Sequence, residues 1–191
     1  MKKFLASALM LFAASTATFA QHAVGSFTVQ PKVGISIADI TNNDLAKSRI
    51  GFVGGLEGEY QVADIFSLSL GVNYSQEGCK GKNSDNKVKF DYINVPILAN
   101  VYVVKGLAVK LGVQPGFNVG KSLTKNGITG SGSAEDDIVK SVALSIPVGL
   151  SYEISNVVLD ARYNWGVTKA FKGSDSKNSV FQITVGYKFQ L

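Results

Sequence analysis

Apolar and polar residues alternate along most of this chain with a period of two, the spacing that sends successive side chains to opposite faces of a strand. In LAVKLGVQPGFNVG (107–120) every odd position from Leu107 to Val119 is apolar or proline, and the even positions read Ala, Lys, Gly, Gln, Gly, Asn, Gly. From Phe27 to Ile37 the odd residues Phe27, Val29, Pro31, Val33, Ile35 and Ile37 oppose Thr28, Gln30, Lys32, Gly34 and Ser36. Ile50, Phe52, Leu56, Tyr60 and Val62 share one face of the next segment, with Gly54 and Gly58 between them and Glu57, Glu59 and Gln61 opposite. Phe66 to Tyr74, Val142 to Ile154, Leu159 to Val167 and Phe181 to Leu191 repeat the pattern. Each predicts a strand with one apolar face.

One segment is irregular. Between Lys87 and Val103, Ile93, Val95, Ile97, Ala99, Val101 and Val103 share a face, but Phe90, Tyr92, Leu98 and Tyr102 fall on the other. A bulge near Asp91 or Pro96 would change the phase. With that segment the strands number eight. Their connections alternate strictly between short (Ala63-Asp64, Val104-Lys105-Gly106, Ser155-Asn156) and long (Asp39 to Arg49, Gln76 to Asn86, Lys121 to Asp137, Thr168 to Asn178). Both termini fall on the short side. The pattern predicts an all-β fold: an eight-stranded antiparallel up-and-down transmembrane β-barrel with short periplasmic turns and long extracellular loops.

The composition of the polar face decides which solvent lies outside. A soluble barrel, such as a lipocalin-like periplasmic carrier, turns its apolar set inward and carries long charged side chains outside. Here the polar set is mostly Gly, Ser, Ala, Asn and Gln, small enough for a narrow lumen, so the apolar set is expected to face lipid. The lumen then receives Lys32, Glu57, Glu59, Lys110, Glu153, Asp160, Arg162 and Lys188, four acids against four bases, mostly in the periplasmic half. That balance predicts a salt-bridged plug, with a proton or solute path as the alternative. Tyr60, Phe66, Tyr102, Tyr152 and Phe189 are expected at the periplasmic rim, and Phe52, Tyr74, Phe117 and Trp165 toward the outer one. Pro31, Pro96, Pro115 and Pro147 all fall inside strand patterns, where bulges or kinks are expected at some of them.

The start of the chain reads differently. Lys2 and Lys3, the apolar run Phe4 to Ala14 and Thr18-Phe19-Ala20 form a secretory signal peptide pattern over residues 1–20, cut before Gln21, leaving a single barrel domain over 21–191. The formal net charge of +5 becomes +3 once Lys2 and Lys3 are removed, too small an excess to indicate nucleic acid. Cys79 is the only cysteine, so no intrachain disulfide forms.

The segment YINVPILANVYV (92–103), a short turn, and LGVQPGFNVG (111–120) together resemble the PorT-like outer-membrane beta-barrel family of Bacteroidetes, small barrels of the OmpA/OmpX type. Tyr92, Val95, Pro96, Ile97, Leu98, Gly112, Pro115 and Gly116 carry the match, which in strand order covers the whole mature chain. Two departures stand out: Asn100 lies where the family often has a basic residue, and Leu191 ends the chain where such barrels usually have an aromatic one. Phe189 has the parity to replace it, so Tyr187, Phe189 and Leu191 read as the C-terminal assembly signal. The resemblance implies a small Gram-negative outer-membrane barrel, cell-surface and porin-like in build.

Catalytic chemistry is poorly represented. His22, the only histidine, precedes the first strand, so no serine-histidine-carboxylate group and no metal-ligand spacing can be drawn. Glu135, Asp136 and Asp137 read as a solvated loop tip. No cofactor is expected. In the loop around Cys79, Lys80, Lys82, Lys87 and Lys89 are candidate contacts for lipid-headgroup phosphates. The expected partners are outer-membrane lipids, lipopolysaccharide, the barrel-assembly machinery and surface or secretion partners. The expected role is structural or surface interaction without catalysis, the alternatives being a narrow pore or secretion accessory, or a soluble lipocalin-like carrier.

Overall fold

The structure is a computed structural model, and it describes residues 22–40, 46–81, 87–125, 128–130, 142–169 and 177–191. The strands are β1 (Phe27–Ile40), β2 (Ala46–Ala63), β3 (Phe66–Gly81), β4 (Lys87–Asn94), β5 (Ile97–Val104), β6 (Leu107–Lys125), β7 (Ile128–Gly130), β8 (Val142–Ile154), β9 (Val157–Lys169), β10 (Lys177–Tyr187) and β11 (Phe189–Gln190). Every pairing is antiparallel, and the order β10-β9-β8-β6-β4-β3-β2-β1 closes where β1 meets β10. β4 and β5 run as one stave across Val95-Pro96, β11 continues β10, and β7 only pairs back on β6, so the wall has eight staves.

The apolar set faces outward. Val33, Leu56, Leu70, Leu111, Leu150, Leu159, Trp165 and Val185 are exposed, while the alternating polar residues Lys32, Glu57, Asn73, Lys110, Arg162 and Thr184 are buried. Polar contents inside an apolar skin are the reverse of a soluble carrier. Phe52, Tyr74, Phe117 and Trp165 are exposed on the long-loop half, and Tyr60, Tyr152 and Phe189 near the short turns.

Several local expectations change. Tyr102 is not part of the rim, because at 5% exposure it lies inside the barrel. The irregular stave keeps one parity throughout: Phe90, Tyr92, Asn94, Pro96, Leu98, Asn100 and Tyr102 all point inward. The bulge opposite Asp91 belongs to β6, where Asp91 pairs Gly120 and Tyr92 pairs Asn118, leaving Val119 as the extra residue. The other prolines act without shifting register. Pro147, lacking an N–H, lies in a gap of the β6–β8 ladder between Leu111↔Val148 and Gln114↔Ser145, and Pro31 in a gap of the closing seam. The walls also reach further than expected, with β1 running to Ile40, β2 starting at Ala46, β3 running to Gly81 and β6 to Lys125. The short turns are tight, and Gly106 (φ 86°) and Ser155 (φ 58°) supply left-handed conformations in two of them.

Candidate functional site

Inward glycines make room for the long side chains of the lumen. A Cβ at Gly55 would collide with the Asn73 side chain, at Gly116 with that of Asn94, at Gly186 with that of Gln30, and at Gly149 with the Ala161 carbonyl. Large inward residues therefore stand opposite absent ones, as a barrel of eight strands demands.

The eight charged residues converge in two connected groups. Glu57 on β2 accepts from Lys32 on β1, from Lys110 on β6 at 3.0 Å and from Arg162 on β9 at 3.2 Å. Asp160 accepts from Lys110 at 3.0 Å and from Arg162 at 2.9 Å. Nearer the short turns, Lys188 donates to Glu59 at 3.0 Å and to Glu153 at 2.9 Å. Each of the eight is at most 7% exposed. Ion pairs so deeply buried need additional hydrogen bonds to offset desolvation, and Glu59 gets them from Ser67 Oγ at 2.6 Å and the Tyr102 hydroxyl.

Four other participants escaped the sequence reading. His22, which precedes the first strand, sits at the mouth of the barrel with Nε2 3.1 Å from Glu153 Oε1. Tyr102 joins the group just described. Arg49 and Glu77, assigned to loops, face inward on β2 and β3, where Arg49 Nη1 donates to the Glu77 carbonyl at 2.5 Å and Ser75 Oγ to the Glu77 carboxylate at 2.8 Å. Parity would have found them: Arg49 is in phase with Glu57 and Glu59, and Glu77 with Asn73 and Ser75.

Above the ion pairs the contents change to carboxamides and then to apolar side chains. Asn94 Nδ2 donates to Ser75 Oγ at 2.8 Å, and Phe90 meets Tyr92 edge-on with ring centroids 6.5 Å apart. A cavity of about 30 Å³ lies here, lined by Tyr92, Asn94, Gln114, Ser145, Asn164 and Glu77 among others. Gln114 Oε1 and both side-chain polar atoms of Asn164 have no hydrogen-bond partner among the described residues. The space accommodates about one or two water molecules.

The remaining candidates are distributed as follows. Tyr187, Phe189 and Leu191 are exposed on the outer face, with the Tyr187 and Phe189 rings 4.8 Å apart. Lys89 is exposed. Lys80 and Lys87 are opposed across β3 and β4, and Lys47 pairs Lys80 from β2, so three lysine backbones form a row at the long-loop end. Lys82, the side chains of Cys79, Lys80 and Lys87, and the acidic tip Glu135 to Asp137 lie outside the described residues. Among the described residues no group of three His, Cys, Asp or Glu side chains could hold a metal ion.

None of the curated proteins matches the sequence. Among solved structures, Neisserial surface protein A superposes with a TM-score of 0.58 at 20% identity, over 85% of this chain and 97% of that one. Ail, the attachment invasion locus protein of Yersinia pestis, superposes with a TM-score of 0.54 at 19% identity, over 87% of this chain and 100% of that one. At these identities the likeness shows the fold. The family described as outer membrane protein beta-barrel domain matches residues 19–172, four-fifths of the chain, so the protein belongs to that family and resides in the outer membrane of a Gram-negative cell.

Proposed function

We propose that the protein is a closed, non-conducting outer-membrane barrel that anchors its long loops at the cell surface for structural or binding work, without catalysis. The observation that carries this reading is the mutual ion pairing of Lys32, Glu57, Glu59, Lys110, Glu153, Asp160, Arg162 and Lys188 across the lumen. Moving an ion through would require breaking several buried pairs together, at several kcal/mol each. In planar bilayers the purified protein is expected to give no unitary conductance, and stable channels would overturn the plug. Within the family, the Tyr92 to Val103 segment supports membership of the PorT-like group. Residues 1–20 act as the signal peptide, so the mature chain is expected to begin at Gln21 by N-terminal sequencing. Tyr187, Phe189 and Leu191 present the outward face offered to the barrel-assembly machinery.

The backbone row Lys47, Lys80 and Lys87, with Lys89 nearby, favours an anionic contact at the outer surface. Ail has been solved in complex with the heparin analogue sucrose octasulfate, and for this chain the corresponding chemistry is that of lipopolysaccharide phosphates. Replacing Lys80, Lys87 and Lys89 with glutamine should weaken retention of lipopolysaccharide by the detergent-extracted protein. Unchanged retention would remove that contact without touching the plug.

A further inference from the structure

The seam that closes the barrel is incompletely laddered. β1 pairs β10 as far as Lys32↔Gly186 and β11 from Val29↔Phe189, in the same register, but the ladder is interrupted between them, where Gln30-Pro31 faces Tyr187-Lys188. Pro31 has no N–H to give. Lys188 continues the β9–β10 register on the other side, its N–H donating to the Asn156 carbonyl at 2.7 Å and its carbonyl accepting from Asn156 Nδ2 at 2.9 Å.

On the outer surface an apolar groove of about 610 Å³ borders this gap, lined by Pro31, Val33, Phe52, Gly54, Val185 and Tyr187 and reaching Val157 beside a short turn. Gly54 is an outward-facing residue of β2 in this groove and carries no side chain. The Phe52 ring leans over it, its Cζ lying 2.9 Å from where a Cβ would stand, and Tyr187 forms the facing wall. We propose that this groove is a phospholipid site, seating one acyl chain from the periplasmic leaflet. The occupant follows from the surroundings: the groove opens on the hydrocarbon-facing skin of an outer-membrane protein and its lining is apolar, so an aliphatic chain covers it. Its end at Val157 and Tyr187 lies beside a short turn and opens to the periplasmic leaflet, and the groove runs from there toward Phe52. A chain on a convex barrel touches it along one side, whereas a chain in this groove is in van der Waals contact with β1, β2 and β10 together. The walls are preformed, which lowers the ordering cost of binding. The seated chain also packs beside Pro31, where the seam lacks a ladder donor.

The test is native mass spectrometry of the barrel extracted from membranes in mild detergent, under activation that strips loosely held lipid. The wild-type barrel should retain one phospholipid. Val185→Trp and, independently, Val33→Trp fill the groove with a side chain that a lipid-facing surface tolerates, and each should lose it. Leu111→Trp, on the opposite wall, should keep it. Folding of each variant is verified by its faster migration on unboiled gels. A wild-type barrel without lipid, retention by both groove variants, or equal loss in Leu111→Trp would overturn the proposal. So would a dimer mass that the groove variants abolish, which would assign the surface to a second copy of the chain.

Discussion

The two halves of the lumen are enclosed by the same wall and filled in opposite ways. Toward the short turns, each of the eight charges has an opposite charge within ion-pair distance, and Glu57 alone has three cationic partners. Toward the long loops, carboxamides and aromatic rings surround a cavity of about 30 Å³, and Asn164 leaves both polar atoms unpartnered. The contrast teaches where the barrel is locked. Charges in a lumen of this width hold staves together only when each is answered, so the periplasmic half tolerates no deletion. The outer half carries slack, next to the loops that face the surface.

The largest effect is therefore expected from Arg162→Ala. It strips Glu57 and Asp160 of a shared partner and should cost about 3–5 kcal/mol, read from urea unfolding in lipid vesicles. Retention of wild-type stability would mean that the lower half is no more locked than the upper. The wall separates from its contents next. Arginine in place of Leu111 or Ile146 should cost roughly 2–4 kcal/mol near the bilayer midplane, more than arginine at Ser145 or Thr184 on the inner face. Equal penalties on the two faces would reverse the assignment of inside and outside. A smaller loss, about 1.5–3 kcal/mol, is expected from Tyr102→Phe, which removes the hydroxyl donated to Glu59 while leaving Ser67 and Lys188 on that carboxylate.

The wall was legible because alternation reports faces directly: wherever one face is apolar and the other small and polar, parity alone assigns each residue. The eight lumen charges follow from parity in the same way. What parity could not supply is where a strand stops. Arg49 and Glu77 were hidden because polar residues in sequence look like loop, although both continue the inward phase of their strands. Tyr102 was hidden by its type, since an aromatic ring near a rim suggests a girdle, whereas its hydroxyl is held inside by Glu59. His22 lies before any alternation begins, and only the chain's return across the mouth, with Gly25 N–H donating to the Gln61 carbonyl at 2.8 Å, brings it to Glu153. The gap in the closing seam, by contrast, follows from Pro31, which has no N–H to donate to the strand opposite.

The smallest expected effect is the sharpest test of the contrast. Asn164→Leu removes two buried polar atoms that lack partners and fills space beside Gln114 with a side chain of similar size, so the lost solvation and the gained packing nearly offset. Replacing an unsatisfied polar group by an apolar one of similar shape is close to neutral or stabilising, so the change should lie within about 1 kcal/mol of wild type. A neighbouring residue on the same strand, Arg162, should then differ from it several-fold in cost, although both face the lumen and both are equally buried. If Asn164→Leu instead proves as damaging as Arg162→Ala, the cavity holds ordered water that Asn164 and Gln114 secure. The outer half would then be held by a polar network of its own.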